Sequence, residues 1–157
     1  MRVGQGFDVH RFSDDPARPL VLGGVTLEGA PGLDGHSDAD ALTHALADAL
    51  LGAAGLGDLG RHFPDTDPRW AGADSVALLG RVVELVAGAG LRPVNADCTV
   101  VAETPRLAPS VGAMVENLSR VLGAPVSVKA TRAEGLGAVG RTEGIACLAV
   151  VLVDEAR

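Results

Sequence analysis

No tyrosine occurs among the 157 residues, which include one tryptophan and three phenylalanines. So few flat rings leave little on which nucleic-acid bases could stack. Positive charge is also scarce: 13 basic against 20 acidic residues give a formal net charge of -7, which argues against a broad nucleic-acid surface. An anionic ligand would have to be held locally, by a metal or a few Lys and Arg. Only two cysteines are present, Cys98 and Cys147, each inside an apolar run, so they read as small core residues. A single disulfide remains open, but a secreted disulfide framework is not suggested. There is no basic leader with an apolar signal core, and no apolar run nears the roughly 20 residues of a membrane span. The expectation is a soluble cytoplasmic protein with neither nucleic acid nor membrane as partner. With 47% hydrophobic and 21% charged residues, the composition is that of one globular domain over residues 1–157.

What the chain does contain is an alternation of strand-like and helix-like segments separated by glycine. Arg2 to Val9 and Leu20 to Leu27 read as strands, joined by a polar loop. From Asp38 to Ala54 the stripe Leu42, Leu46, Leu50, Ala53 predicts a helix. Further helices are expected over Asp74 to Ala89 and Pro109 to Leu122, stopped by Gly90 and Gly123. Strands are expected over Pro93 to Glu103, Pro125 to Thr131 and Ile145 to Val153. The order β-β-α-α-β-α-β-β predicts an α/β (α+β) fold, a two-layer sandwich with a mixed β-sheet and helices on one face. The connection from Gly55 to Trp70 has no periodicity of its own, and loops of that length are often lids or binding loops.

Chemistry enters at Asp8-Val9-His10. Side chains two apart in a strand point to one face, so Asp8 and His10 project together. His44 falls roughly opposite the apolar stripe of its helix, with Asp40 and Asp48 one turn to either side. Two imidazoles and a carboxylate make a three-ligand zinc site with an open fourth position, the catalytic arrangement. Plainer readings stand beside this one. An Asp-x-His step at a strand end is commonly just solvated. His36-Ser37-Asp38 would serve as a helix cap, with Ser37 or Asp38 as acceptor, although a helix start also offers N–H groups to phosphate. Phe63-Pro64-Asp65-Thr66-Asp67-Pro68 is rich in turn formers. His62 has no partner in the pattern and is expected to be exposed. The stretch Gly135 to Arg141 is glycine-rich but fits neither a dinucleotide fingerprint nor a P-loop.

Taken together, Gly6-Phe7-Asp8-Val9-His10, His36-Ser37-Asp38-Ala39-Asp40 with His44, Gly57-Asp58-Leu59-Gly60 with Phe63 to Pro68, Lys129-Ala130-Thr131, and Gly140-Arg141-Thr142-Glu143-Gly144 resemble the 2-C-methyl-D-erythritol 2,4-cyclodiphosphate synthase family. The resemblance runs from Met1 to about Val153. It implies that Asp8, His10 and His44 hold Zn2+ or another divalent metal. It places His36 and Ser37 over the phosphates and Asp58, Gly60 and Asp65 on the methylerythritol, with Val9, Leu59 and Phe63 in the same substrate-binding segments. Ala102, Pro105, Arg106, Leu107 and Ala108 fall in the family's cytidine-binding stretch, with Ala130 and Thr131 beside it. Glu134 matches the ligand of a second metal, Mg2+ or Mn2+, that bridges substrate phosphates. The family forms homotrimers with shared active sites, and a central cavity near Phe7, Arg141 and Glu143 holds an isoprenoid diphosphate.

The implied reaction is intramolecular phosphoryl transfer: the 2-phosphate of 4-diphosphocytidyl-2-C-methyl-D-erythritol 2-phosphate displaces CMP from its own β-phosphorus. In catalytic roles the resemblance points to His36 and to position 132. Three departures stand out. Arg132 occupies the place of a family threonine that stabilises the transition state, and would either supply a charged donor or point away. Gly135 replaces a common lysine, and Ala138 an aromatic of the central cavity. Two rivals remain open: a zinc hydrolase using the same ligands, and a non-enzymatic trimeric sensor of isoprenoid or nucleotide diphosphates.

Overall fold

In the computed structural model, which describes residues 1–156, strand β1 (Arg2–Arg11) is followed by the short strands β2 (Pro19–Leu22) and β3 (Val25–Pro31). Next come helix α1 (Ala41–Ala54), a single turn α2 (Leu59–His62), a 3-10 turn at Pro68–Trp70, and helix α3 (Ser75–Gly88). Strand β4 (Leu91–Val101), helix α4 (Val111–Leu122), strand β5 (Val126–Thr131), the turn α5 (Gly137–Gly140) and strand β6 (Gly144–Glu155) complete the order. The main sheet runs β1-β6-β4-β5. β6 is antiparallel to β1 and β4, whereas β4 and β5 are parallel. The sheet is therefore mixed, as the alternation of patterns predicts.

Small residues bring its first strand against α1. β1 turns Gly4, Gly6, Asp8 and His10 inward and Val3, Phe7 and Val9 outward. A Cβ at Gly4 would stand 1.9 Å from the Ala49 carbonyl oxygen, and one at Gly6 1.9 Å from that of Ala45. Only glycine permits that backbone approach. α1 is alanine-rich for the same reason and is buried almost all round, not along one stripe. His44, Asp48 and Gly52 alone among its residues escape full burial, and their spacing puts them on one line. α3 packs on α1, and α4 covers β5. On the opposite face of the sheet β1 and β6 expose an apolar patch of Val3, Phe7, Val9, Leu148 and Val150, while β4 and β5 continue it with the Asp97–Lys129 ion pair.

Two boundaries differ from expectation by more than two residues. Leu20 to Leu27 is not one strand: Gly23 (φ 57°) and Gly24 (φ 69°) make the two-residue turn of a β2–β3 hairpin. Positive φ at both central residues is the condition for a tight hairpin, and glycine meets it without strain. α1 begins at Ala41, not Asp38, because Ala39 takes a non-helical φ of 56° and Asp40 caps the helix. The fully buried Asp40 carboxylate accepts from Thr43 N–H (3.0 Å) and Thr43 Oγ (2.7 Å). It also accepts from Gly23 N–H (2.9 Å) and Gly24 N–H (2.7 Å), tying the hairpin to the helix start. His62 likewise departs from expectation. It is half-buried, with Nε2 2.9 Å from the Leu56 carbonyl. Among the described residues no helix is long and apolar enough to cross a membrane.

Candidate active site

β1 and α1 deliver the three expected ligands to one point. Asp8 Oδ2 lies 2.9 Å from His10 Nε2 and 3.1 Å from His44 Nδ1. One donor atom from each residue falls within 4.8 Å of the others. The remaining ring nitrogens face outward: His10 Nδ1 is 2.6 Å from the Asp34 carbonyl, and His44 Nε2 is 2.8 Å from Ser75 Oγ. A carbonyl only accepts, so Nδ1 of His10 carries a proton, and Nε2 is the nitrogen whose lone pair a metal would take in place of its proton toward Asp8. Burial pushes the Asp8 carboxyl up, but hydrogen bonds to both imidazoles outweigh it and hold the group well below the usual carboxylate range. The bond to Asp8 raises His10 above the ordinary histidine value.

This donor set fits a divalent metal. Bonds of about 2.0–2.2 Å place donors around a tetrahedral ion roughly 3.3 Å apart, within a few tenths of an ångström of the two spacings here. Each imidazole has an outer partner of the kind that orients metal-bound histidine.

The three ligands lie in a cleft of about 550 Å³, whose lining also includes His36, Ser37, Leu59, Gly60, Phe63 and Asp65. The structure therefore gathers these six predicted residues beside the ligands. His36 and Ser37 are not the cap of α1. Their loop is braced by Arg18, whose Nη2 donates to the Gly35 carbonyl (2.9 Å) and the Ser37 carbonyl (2.5 Å). The 55–70 connection forms the far wall, with Trp70 edge-on to Phe63 at a centroid distance of 5.0 Å.

A second cavity, of about 520 Å³, collects Ala102, Pro105, Arg106, Leu107, Ala108, Ala130, Thr131 and Arg132. It opens beyond the carboxyl ends of the parallel pair β4 and β5, where open α/β sheets commonly take ligands. Arg132 donates from Nε (3.0 Å) and Nη2 (2.8 Å) to Glu103 Oε2, and Glu103 Oε1 accepts from Gly135 N–H at 3.2 Å. Arg132 is thus neither free in the pocket nor turned away. It is tied to the wall opposite its strand. The two linings share no residue.

Four predicted residues lie in neither lining. Val9 points to the outer face of the sheet, and Asp58 caps α2 by accepting from Arg61 N–H at 2.9 Å. Glu134 is exposed at φ 53°, and Arg141 donates to Glu143 at 2.6 Å. Sequence reasoning missed Arg18, Trp70 and Ser75, and took Asp38 for part of a helix cap. Trp70 alone carried a signal, as the single tryptophan in a loop of unusual length.

Fold and site together define a small α/β protein built around an open three-ligand metal centre. The chain belongs to the YgbB family, whose model matches residues 1–154. It is 60% identical over 156 residues to the 2-C-methyl-D-erythritol 2,4-cyclodiphosphate synthase of Symbiobacterium thermophilum, covering 98% of each chain. A CDP-bound form of a 2C-methyl-D-erythritol-2,4-cyclodiphosphate synthase matches at 40% identity and a TM-score of 0.87, covering 98% of this chain and 100% of that one. The bifunctional IspDF from Campylobacter jejuni matches at 43% identity and a TM-score of 0.93, over 98% of this chain and 42% of that longer one.

Proposed function

We propose that the protein is a cyclising phosphorus-oxygen lyase of the non-mevalonate isoprenoid pathway. It converts 4-diphosphocytidyl-2-C-methyl-D-erythritol 2-phosphate to 2-C-methyl-D-erythritol 2,4-cyclodiphosphate and CMP. The observation that carries the reading is the Asp8, His10 and His44 group set in a cleft beside the His36-Ser37 loop. A phosphate oxygen is already anionic near neutral pH, so the attack asks for no strong base in the cleft. The task is to fold a flexible substrate so that the attacking and leaving oxygens lie in line, and to screen charge.

His36 and Ser37 hold the phosphates, on a loop that Arg18 braces. Asp58, Gly60 and Asp65 hold the methylerythritol hydroxyls, while Leu59 and Phe63 keep water from that end. The second cavity takes the cytidine, with Arg106 and Thr131 among its polar groups. Arg132, oriented by Glu103, faces the leaving group. Asp8, His10 and His44 would hold Zn2+, and Glu134 would hold Mg2+ or Mn2+. Such ions supply charge neutralisation on the transferring phosphoryl group.

Two features support a homotrimer. The apolar patch on the outer side of β1 and β6 suits a partner, and a cytidine pocket that shares no lining residue with the metal cleft suits a site assembled between neighbouring subunits. Phe7, Arg141 and Glu143 then face the trimer axis, where an isoprenoid diphosphate would fit. Residues 1–157 act as one cyclase domain, in the cytoplasm.

Phosphorus NMR of the protein with the cytidine diphosphate substrate and Mg2+, beside His44→Ala, tests the assignment. CMP with a cyclic diphosphate, lost in the variant, is the expected result. CMP with a linear product would make it a hydrolase, and no turnover by zinc-loaded protein would make it a binding protein.

A further inference from the structure

His44 is held from behind by residues that never reach the cleft. Ser75, the first residue of α3, is 1% exposed, and its Oγ lies 2.8 Å from His44 Nε2. Asp38 takes both of the serine's donors: the hydroxyl bonds to Oδ1, and the backbone N–H donates to Oδ2 at 3.1 Å. Asp40 N–H adds a third bond to Asp38, at 3.2 Å. Neither Asp38 nor Ser75 lines the metal cleft.

The direction of this chain of bonds is fixed by what each group can do. A carboxylate accepts and cannot donate, so the Ser75 proton points at Asp38 and an oxygen lone pair is left facing the imidazole. Nε2 must then carry the ring proton. In the neutral ring Nδ1 is then the bare nitrogen, on the side of Asp8 and 3.1 Å from Oδ2, which is the tautomer a metal ligand requires. Ser37 Oγ stands farther from Nε2, at 3.2 Å, and already accepts from Ala39 N–H. On the other imidazole the backbone carbonyl of Asp34 does the same job, beyond the reach of substitution.

We infer that Asp38 and Ser75 are positioning residues that set the tautomer and tilt of His44 for metal ligation, linking the metal centre to the start of α3. This rests on reading Asp8, His10 and His44 as a metal site.

Zinc affinity by competition with a chromophoric chelator, and the visible spectrum after Co2+ loading, test the inference on the full chain. Ser75→Ala should weaken zinc binding by roughly 10- to 100-fold, the usual effect of losing an outer-sphere partner, and shift the cobalt bands. Asp38→Asn should act in the same direction, and Ser75→Thr, which restores the hydroxyl, should recover affinity. Asp74→Ala is the control, because it removes the N-cap of the same helix. It should lower the melting temperature while leaving zinc affinity and the cobalt spectrum unchanged. Wild-type affinity and spectrum in Ser75→Ala would overturn the inference, as would an equal loss in Asp74→Ala. Should Ser75→Ala fail to fold by circular dichroism, Asp38→Asn takes its place: weakened zinc binding with shifted bands supports the inference, and wild-type behaviour overturns it. A wild-type protein that binds no zinc would instead overturn the metal site, and this inference with it.

Discussion

Gly6→Ala tests whether backbone contact between β1 and α1 sets the metal centre. The added methyl would meet the Ala45 carbonyl oxygen at 1.9 Å and the Ala49 amide nitrogen at 2.8 Å, where ordinary contact begins at 3.4 Å. Both obstacles are main chain, so no side chain can swing aside, and strand and helix must part by about 1.5 Å. Overpacking of a well-filled core costs roughly 1–3 kcal/mol, and a main-chain clash belongs at the upper end. At about 2–4 °C per kcal/mol for a chain of this size, the melting temperature should fall by about 6–12 °C.

The same displacement acts on the ligands, since Asp8 is two residues along β1 and His44 adjoins Ala45. A spacing of 3.1 Å between Asp8 Oδ2 and His44 Nδ1 would open to about 4.6 Å. Two metal bonds of about 2.1 Å laid end to end span only about 4.2 Å. Zinc affinity should therefore fall with stability, measured by chelator competition and by thermal unfolding with and without zinc. Gly4→Ala makes the same clash farther from the ligands and should cost similar stability with a smaller loss of zinc. A Gly6→Ala protein that melts within about 2 °C of wild type and binds zinc equally well would refute the argument.

Three further outcomes are expected. In metal-free protein, His10 is raised by Asp8, so its stabilising contribution is full below about pH 6.5 and is lost as pH rises through the raised value. Asp8 is depressed, so its own contribution is lost only as pH falls through that low value. The metal-free melting temperature should thus decline as pH rises above about 6.5 through the raised His10 value while zinc affinity rises, and a climb in both would contradict the pairing. Asp40→Ala strips buried partners from Gly23, Gly24 and Thr43 and should cost roughly 3 kcal/mol in urea unfolding; a loss under about 1 kcal/mol would deny its double role as cap and hairpin clasp. Arg132→Ala releases Glu103, whose carboxyl the guanidinium holds below the usual range, and should raise the KM for the cytidine substrate several-fold with little change in melting temperature. An unchanged KM would leave Arg132 as a rim residue only.

Much of the frame was legible because periodicity and burial coincide. The period-two inward row of β1 and the polar line on α1 are enough to put Asp8, His10 and His44 on facing surfaces. The Gly23-Gly24 turn was hidden because apolar residues flank it on both sides, so the strand pattern reads straight across. Asp38 looked like a cap because it precedes a helix, yet its partner Ser75 stands 37 residues away and no local pattern reaches that far. Arg18 lies in a polar loop with nothing to mark it, and the Arg132–Glu103 pair joins residues 29 apart. Side chains that act through others across tertiary contacts leave no trace in spacing, whereas ligands that must share a face do.

In the homotrimer proposed above, with sites shared between neighbours, the separation of the two cavities has a genetic consequence. Take two alleles, one lacking Asp8 and the other lacking Arg106, each inactive alone because every site in its trimer is damaged on one edge. Where a site is shared between neighbours around a closed ring, a mixed trimer always contains one junction at which the intact metal cleft of one subunit meets the intact cytidine pocket of the next. That holds whichever subunit is in the majority. Two null alleles of this gene would therefore complement one another in the same cell, and the pattern of pairs that do so would map each residue to its side of the junction.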